Sequence, residues 1–191
     1  MTIVSPTSRS MTPIQFIQTA VRDYRVGALT KSSPYVVMEI LRALPPHARY
    51  VVEYGPGDGV VTRALLQQLP ANGQLVVIER NAEFMRELRA IGDPRLRIVH
   101  GDVVQHSRAL WSLGIPQVDA VVSGIPCTFF DPVTRDAIVR GTHTAIGEHG
   151  VFIVYQYTTL MRAILRKHFR SVTTRLEPIN FPPYFIMRAE K

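Results

Sequence analysis

Val51–Leu66 reads VVEYGPGDGVVTRALL, and the fold turns on how this stretch is parsed. Val51 and Val52 lead into Glu53, Gly55, Gly57 and Gly59 fall within five positions, and from Val60 apolar residues recur at helical spacing. This is a strand broken by a tight turn into a helix. Glycine at such a turn lets the backbone approach a ligand and leaves the first helical N–H groups facing it. A Gly-rich turn can also serve packing alone, so the neighbouring segments decide between the two readings.

Outward from the turn, short apolar runs alternate with helical segments. The runs RYVVEY, QLVVIE, RLRIVH, VDAVVS and GVFIVYQY read as strands, with helices over 60–69, 81–90 and 132–146 between them. Asp131-Pro132 caps the last of these. That alternation predicts βαβ units around a buried parallel sheet. A further helix near 159–168 precedes SVTTRLEP and YFIMRAE, close enough in sequence to pair antiparallel. Upstream, Ser33-Pro34 starts a helix through YVVMEILRAL that stops at Pro45-Pro46. Earlier still, Thr12-Pro13-Ile14-Gln15 combines a capping box with a first-turn proline, and Ile14, Ile17, Val21 and Tyr24 form an apolar stripe ended by Gly27. Arg22 and Arg25 give this amphipathic helix a basic side. The expected organisation is a helical N-terminal region over 1–48 and a sheet domain over 49–191.

The chain has 191 residues, 46% of them hydrophobic, which is enough for one real core. Its one cysteine, Cys127, excludes an internal disulfide framework and fits a reducing compartment. The N-terminus lacks an apolar signal-peptide core, and no apolar run approaches the ~20 residues that cross a bilayer. The expected location is cytoplasmic, peripheral at the inner membrane surface. The net charge of +7 is unevenly placed: residues 1–50 carry +4, 51–158 carry −2 and 159–191 carry +5. Basic ends around a near-neutral middle suit an anionic partner, a lipid surface or a nucleic acid, or simply a solvated exterior. The six histidines show no metal-binding spacing with Cys127, so no metal is expected.

Twenty residues past Gly59 the next strand ends in Glu79, and the third strand leads to Gly101-Asp102. Acids at these positions accept from ribose hydroxyls and from an adenine amino group. In a doubly wound sheet Glu53, Glu79 and Asp102 point into one crevice. A dinucleotide site would place a glycine three residues after Gly57, and none is there. Glu53 and Asp58 would repel a pyrophosphate and attract a cation. S-adenosylmethionine, a sulfonium with an ammonium tail, meets that requirement.

Glu53-x-Gly-x-Gly-x-Gly59, Glu79, Gly101-Asp102 and VDAVVSGIP together resemble the class I S-adenosylmethionine-dependent methyltransferases. The resemblance implies an α/β, Rossmann-like methyltransferase fold: a mostly parallel seven-stranded sheet with an antiparallel C-terminal hairpin and helices on both faces. It implies S-adenosylmethionine as cofactor, bound by Glu53, Gly55, Pro56, Gly57, Gly59, Glu79, Arg80, Gly101, Asp102, Val103 and Ser123. EYGPGDGVVTRALL is similar both to rRNA adenine dimethylases and to bacterial phospholipid N-methyltransferases. Adenine methyltransferases carry Asn/Asp-Pro-Pro-Tyr or Asn-Leu-Pro-Tyr after the fourth strand, whose amide grips the target amine and whose ring stacks on the base. Here the segment is Ser123-Gly124-Ile125-Pro126-Cys127, with neither group. It resembles the SGLP of phospholipid N-methyltransferases instead. FIQTAVRDYRVGALTKSS, VYQYT and NFPPYFIMRAEK resemble other segments of that family, although Lys31 and Thr158-Thr159 depart from its pattern.

Methyl transfer from a sulfonium is an in-line displacement in which positioning does most of the work. The amine must be neutral to attack, and an apolar setting near Phe129, Phe130, Tyr155 and Tyr157 would disfavour its ammonium form. Tyr155, Gln156 and Tyr157, at the end of the fifth strand beside the Ser123 loop, are the catalytic candidates together with Ser123. Packing within the strand is the competing reading for each of the three. The function implied is N-methylation of phosphatidylethanolamine and its partly methylated forms. The expected partners are a phospholipid substrate and an anionic membrane surface, engaged through the N-terminal amphipathic helix, with Arg22, Arg25, Lys31, Arg162, Arg166 and Lys167 near lipid phosphates. No nucleic acid is expected. The alternatives are an rRNA adenine or small-molecule amine methyltransferase, and a cofactor-binding module without catalysis.

Overall fold

The computed structural model describes residues 32–106, 117–180 and 182–191. The amphipathic helix expected over Pro13–Val26, with Arg22, Arg25 and Lys31, lies outside the described residues. From Ser32 onward the elements are α1 (Pro34–Ala43), β1 (Tyr50–Tyr54), α2 (Val60–Gln68), β2 (Gln74–Glu79), α3 (Ala82–Arg89), β3 (Leu96–His100), α4 (Val103–His106), β4 (Val118–Ser123), a 3-10 turn (Cys127–Phe129), α5 (Pro132–Ala145), β5 (Ile146–Gln156), α6 (Met161–His168), β6 (Ser171–Glu177) and β7 (Tyr184–Glu190).

Local chemistry sets the helix starts. Ser33 Oγ accepts from the Val36 N–H at 3.3 Å, with Pro34 in the first turn of α1. Asp131 Oδ1 accepts from the N–H groups of Val133 and Thr134 at 2.9 and 3.0 Å and starts α5. Asn81 does the same for α3 through the Glu83 N–H.

The seven strands form one sheet in the order β3-β2-β1-β4-β5-β7-β6. β1 to β5 are parallel, and β7 runs antiparallel to both β5 and β6. The chain winds outward from β1 in both directions, so a crevice opens between the loops that follow β1 and β4. Register carries the site residues to that edge: Glu53 lies beside Val77 and Val122, and Tyr54 beside Ser123.

Both sheet faces are covered, which is why the central strands read as unbroken apolar runs. On one face Val51, Leu75, Val77, Val122 and Ile153 pack with Val36 and Ile40 of α1, Leu65 of α2 and Leu88 of α3. On the other, Val52, Tyr54, Val121, Phe152 and Val154 pack with Ile138 and Val139 of α5 and Leu165 of α6. Two features depart from the sequence reading. β5 begins at Ile146, because Val118 pairs with Ile146 before a register shift brings Ala120 opposite Val151. α4 and the 3-10 turn are too short to show periodicity.

Phe152 is buried between Tyr54 and Phe169, with ring centroids 6.2 Å away on each side. Phe152→Ala is expected to destabilise the fold by about 3–5 kcal/mol, measured as a shift in the denaturation midpoint at constant slope.

Candidate functional site

The glycine turn is built on backbone geometry that other residues rarely adopt. Gly55, Gly57 and Gly59 have φ of +64°, +57° and +76°. At Gly55 a second constraint applies, because an added Cβ would lie 2.7 Å from Ile125 Cγ1. At Gly57 an added Cβ would meet nothing within 4 Å, so that side of the backbone faces open space. Gly59 is the N-cap of α2, and Pro56 between them is buried.

Beneath the turn lies Glu53, with no exposure to solvent. Thr62 Oγ1 donates to Glu53 Oε2 at 2.7 Å, and Glu53 Oε1 is buried with no hydrogen-bond partner among the described residues. Burial pushes this carboxyl up to about 8, and the nearby charges of Glu79 and Asp58 add to the effect. A buried acid with an orphaned oxygen is costly, and the cost falls if a cation reaches it.

Glu79 is buried and bonded. Its Oε1 accepts from the Arg80 and Asn81 N–H groups at 2.9 and 2.8 Å, and its Oε2 from the Gly57 N–H at 3.3 Å. Asp102 Oδ1 accepts from the Val104 N–H at 2.8 Å and starts α4, while Oδ2 lies 3.9 Å from Arg80 Nη1. The Gly101 N–H donates to the Glu79 carbonyl at 3.0 Å, and Val103 is buried behind it. The three acids do converge on one edge. Glu79 and Asp102 each hold backbone donors as well, leaving Glu79 Oε2 and Asp102 Oδ2 on the longer contacts.

The loop after β4 stacks on the glycine turn. Ser123 is buried opposite Tyr54, the Gly124 N–H reaches the Tyr54 carbonyl at 3.4 Å, and Ile125 covers Gly55. The three β5 candidates separate. Tyr155 is buried behind the loop, where its hydroxyl occupies the space a Cβ on Gly124 would take. Burial, then the proximity of Glu53, pushes that hydroxyl above its usual range, partly offset by a hydrogen bond with Ser32. Gln156 is also buried: its Oε1 accepts from the Cys127 N–H at 3.2 Å, and its Nε2 donates to the Thr158 carbonyl and Oγ1 at 3.2 and 3.3 Å. Both ends of its amide therefore hold backbone in place. Tyr157 is half-buried, with its hydroxyl 3.3 Å from Thr128 Oγ1. The Cys127 thiol, pushed up to about 12 by burial, is not a nucleophile.

Thr62, Ser32 and Ile125 were not singled out by sequence reasoning. Only Thr62 had a usable signal, a hydroxyl in the first turn of the helix that follows the glycines. Taken together, these residues fit S-adenosylmethionine. Glu53 Oε1 is an orphaned acceptor for a cationic ligand, Gly57 leaves room against the backbone, and Glu79 and Asp102 offer acceptors at the neighbouring strand ends.

A family model described as ribosomal RNA adenine dimethylase matches residues 31–112. An ornithine lipid N-methyltransferase from Singulisphaera acidiphila is 31% identical over 162 residues, covering 83% of this chain and 84% of that protein. A ribosomal RNA small subunit methyltransferase A from Acidithiobacillus ferrooxidans is 35% identical over 83 residues, 42% of this chain and 30% of that protein. Among solved structures, N-methyltransferase NodS from Bradyrhizobium japonicum has a TM-score of 0.68 at 13% identity, over 81% of this chain and 93% of that one. Precorrin-6y C5,15-methyltransferase from Geobacter metallireducens has a TM-score of 0.64 at 19% identity, over 85% and 90%. At these identities the structural likeness speaks to fold alone.

Two predictions arise from the turn and the acid beneath it. Glu53 titrates near 8 when folded, against 4.5 as its ordinary value. Between those values the folded chain holds a proton that the unfolded chain has lost, so stability falls as pH rises, by at most about 1.4 kcal/mol per pH unit. Denaturation of the cofactor-free protein across this window should show a negative slope that Glu53→Gln removes. Gly57→Ala should cost only about 1–2 kcal/mol of stability, for its left-handed backbone, yet weaken calorimetric binding of S-adenosylmethionine at least tenfold.

Proposed function

The chain belongs to the class I S-adenosylmethionine-dependent methyltransferases, and from that premise we propose that it methylates the amine of a membrane-lipid head group, phosphatidylethanolamine and its partly methylated forms. The observation that carries this reading is the acceptor loop. Ser123-Gly124-Ile125-Pro126 packs on the cofactor turn and presents neither an aromatic ring nor a side-chain amide to hold a nucleobase. The match to the ribosomal RNA adenine dimethylase family model spans 31–112 and stops short of this loop, whereas the similarity to an ornithine lipid N-methyltransferase covers 83% of the chain.

S-adenosylmethionine supplies, when bound, a methyl group made electrophilic by its sulfonium. Glu53, which holds its proton in the cofactor-free protein, would give it up to face that cation as a carboxylate, and the Gly57 backbone leaves room for it. Glu79 and Asp102 orient the nucleoside end by accepting hydrogen bonds. On the acceptor side Ile125, Phe130 and Tyr157 keep the amine in a poorly hydrated setting, which favours its neutral, nucleophilic form. Tyr155 and Gln156 serve as positioning residues. Tyr155 buttresses Gly124, and Gln156 fixes the Cys127 backbone so that the loop keeps its distance from the turn. The amine nitrogen would take the methyl from the sulfonium, leaving a neutral thioether, once the ammonium form of the acceptor has given its proton to solvent.

The ornithine lipid N-methyltransferase relative favours a second reading at the same site, an ornithine lipid as acceptor. It changes the head group and keeps the chemistry. Incubation with radiolabelled S-adenosylmethionine and vesicles containing phosphatidylethanolamine or an ornithine lipid, with ribosomal RNA in parallel, separates these outcomes. The expected result is labelled phosphatidylethanolamine. Label confined to ornithine lipid would establish the second reading, and label in RNA alone would overturn both. Gln156→Ala, which frees the Cys127 N–H, is expected to lower kcat at least tenfold while leaving cofactor binding unchanged.

A further inference from the structure

The carboxyl edge of the sheet carries two chemistries. The carboxyl ends of β1, β2 and β3 and the loops after them bring acids: Glu53, Asp58, Glu79 and Asp102. The carboxyl end of β6 and the loops after β4, β5 and β6 bring large apolar side chains into solvent. Phe129 is 57% exposed, Leu160 42%, Leu176 56% and Ile179 62%. All belong to one edge. β6 is parallel to β5, because both run antiparallel to β7, so its carboxyl end with Leu176 lies beside that of β5. A cross-strand row Gln156–Phe185–Leu176 connects them, and Gln156 in turn holds Cys127, two residues before Phe129. Exposed Pro178 precedes Ile179.

The exposed charge of α6 is basic. α6, which begins directly after Leu160, exposes Arg162, Arg166 and Lys167. The nearby acids are occupied. Asp131 caps α5, Asp136 pairs with Lys167 and His168, and buried Glu177 accepts from the Ile179 N–H at 2.9 Å. Clustered apolar side chains exposed beside cations suit an anionic lipid surface, where side chains enter the acyl boundary and cations meet phosphates.

We propose that Leu160, Leu176 and Ile179, with Arg162 in the first turn of α6 beside them and Arg166 one turn further along, form a docking surface for an anionic membrane, so that the acceptor loop opens onto lipid head groups. This rests on the lipid-methyltransferase reading for its purpose, though not for its test. The docked surface would be the acceptor half of the edge. The cofactor half would stay in water, leaving the cofactor free to exchange.

The test uses vesicles of phosphatidylglycerol and phosphatidylcholine, which hold no methylatable primary amine, so binding is read apart from catalysis. The full chain should sediment with them, less so as salt rises. The triple variant Leu160→Ser, Leu176→Ser, Ile179→Ser should bind at least tenfold more weakly, as should Arg162→Glu with Arg166→Glu. Both variants should keep wild-type calorimetric affinity for S-adenosylmethionine. They should also keep wild-type activity on a short-chain phosphatidylethanolamine held below its micelle concentration. Unchanged vesicle binding in the triple variant would overturn the proposal, since another segment would then do the docking. Equal loss of activity on the monomeric lipid would overturn it too, by placing these side chains in the acceptor site itself. Should no lipid be methylated by the wild type, rim-dependent vesicle binding would still support the docking surface and only the substrate reading would fail.

Discussion

A carboxyl group without water lies at the end of the first strand, and much of the site follows from keeping it there. Glu53 has one oxygen satisfied by Thr62 and one without a hydrogen-bond partner among the described residues. Holding an acid in this state opposes folding above its unperturbed range, because burial favours the proton it carries. The surrounding architecture keeps solvent out all the same. Three left-handed glycines fold the chain over the acid, α2 brings the threonine hydroxyl, and Tyr155 closes the side towards β5. Such a group suits a cationic ligand better than a neutral one. The product of transfer is a neutral thioether, so under the proposed function the acid that would favour binding of the cofactor would also favour release of what is left of it.

The second constraint is mechanical. The cofactor turn and the acceptor loop touch through Gly55 and Ile125, with no space for even a methyl group between them. Gln156 ties the far end of that loop to β5 by an amide whose oxygen and nitrogen both serve the backbone. Transfer by in-line displacement tolerates little variation in the separation of donor and acceptor. This packing gives the two halves a shared boundary, which is why we propose positioning rather than acid–base chemistry as the contribution of the β5 residues.

Most local rules were legible in the sequence. Ser33 and Asp131 each act within three residues of their own position, so the α1 and α5 starts could be read directly, while the Asn81 cap of α3 obeys the same rule and was not singled out. Gly55 to Gly59 and Glu79 could be read because strand, turn and helix repeat at fixed spacing in a doubly wound sheet. What could not be read depends on tertiary placement. The Thr62 bond to Glu53 needs α2 to fold back over β1, and the Gln156 bond to Cys127 spans 29 positions. Tyr155, Gln156 and Tyr157 looked alike as consecutive polar or aromatic residues. Only the sheet shows that Tyr155 turns towards Glu53, Gln156 towards the opposite face, and Tyr157 towards Thr128 and the opening. Glu79 and Asp102 were expected as ligands, and the backbone N–H groups they also hold arise from turns whose geometry composition does not encode.

The central claim is that the acceptor amine is taken from a lipid surface and not from solution. Initial rates with radiolabelled S-adenosylmethionine, compared between phosphatidylethanolamine in anionic vesicles and water-soluble glycerophosphoethanolamine at the same amine concentration, test it most directly. The two acceptors share the reacting group and its neighbouring phosphate and differ in their acyl chains. The account predicts rapid methylation of the vesicle lipid and at least a hundredfold slower reaction of the soluble head group. Equal rates would contradict it and make the protein a methyltransferase of small soluble amines.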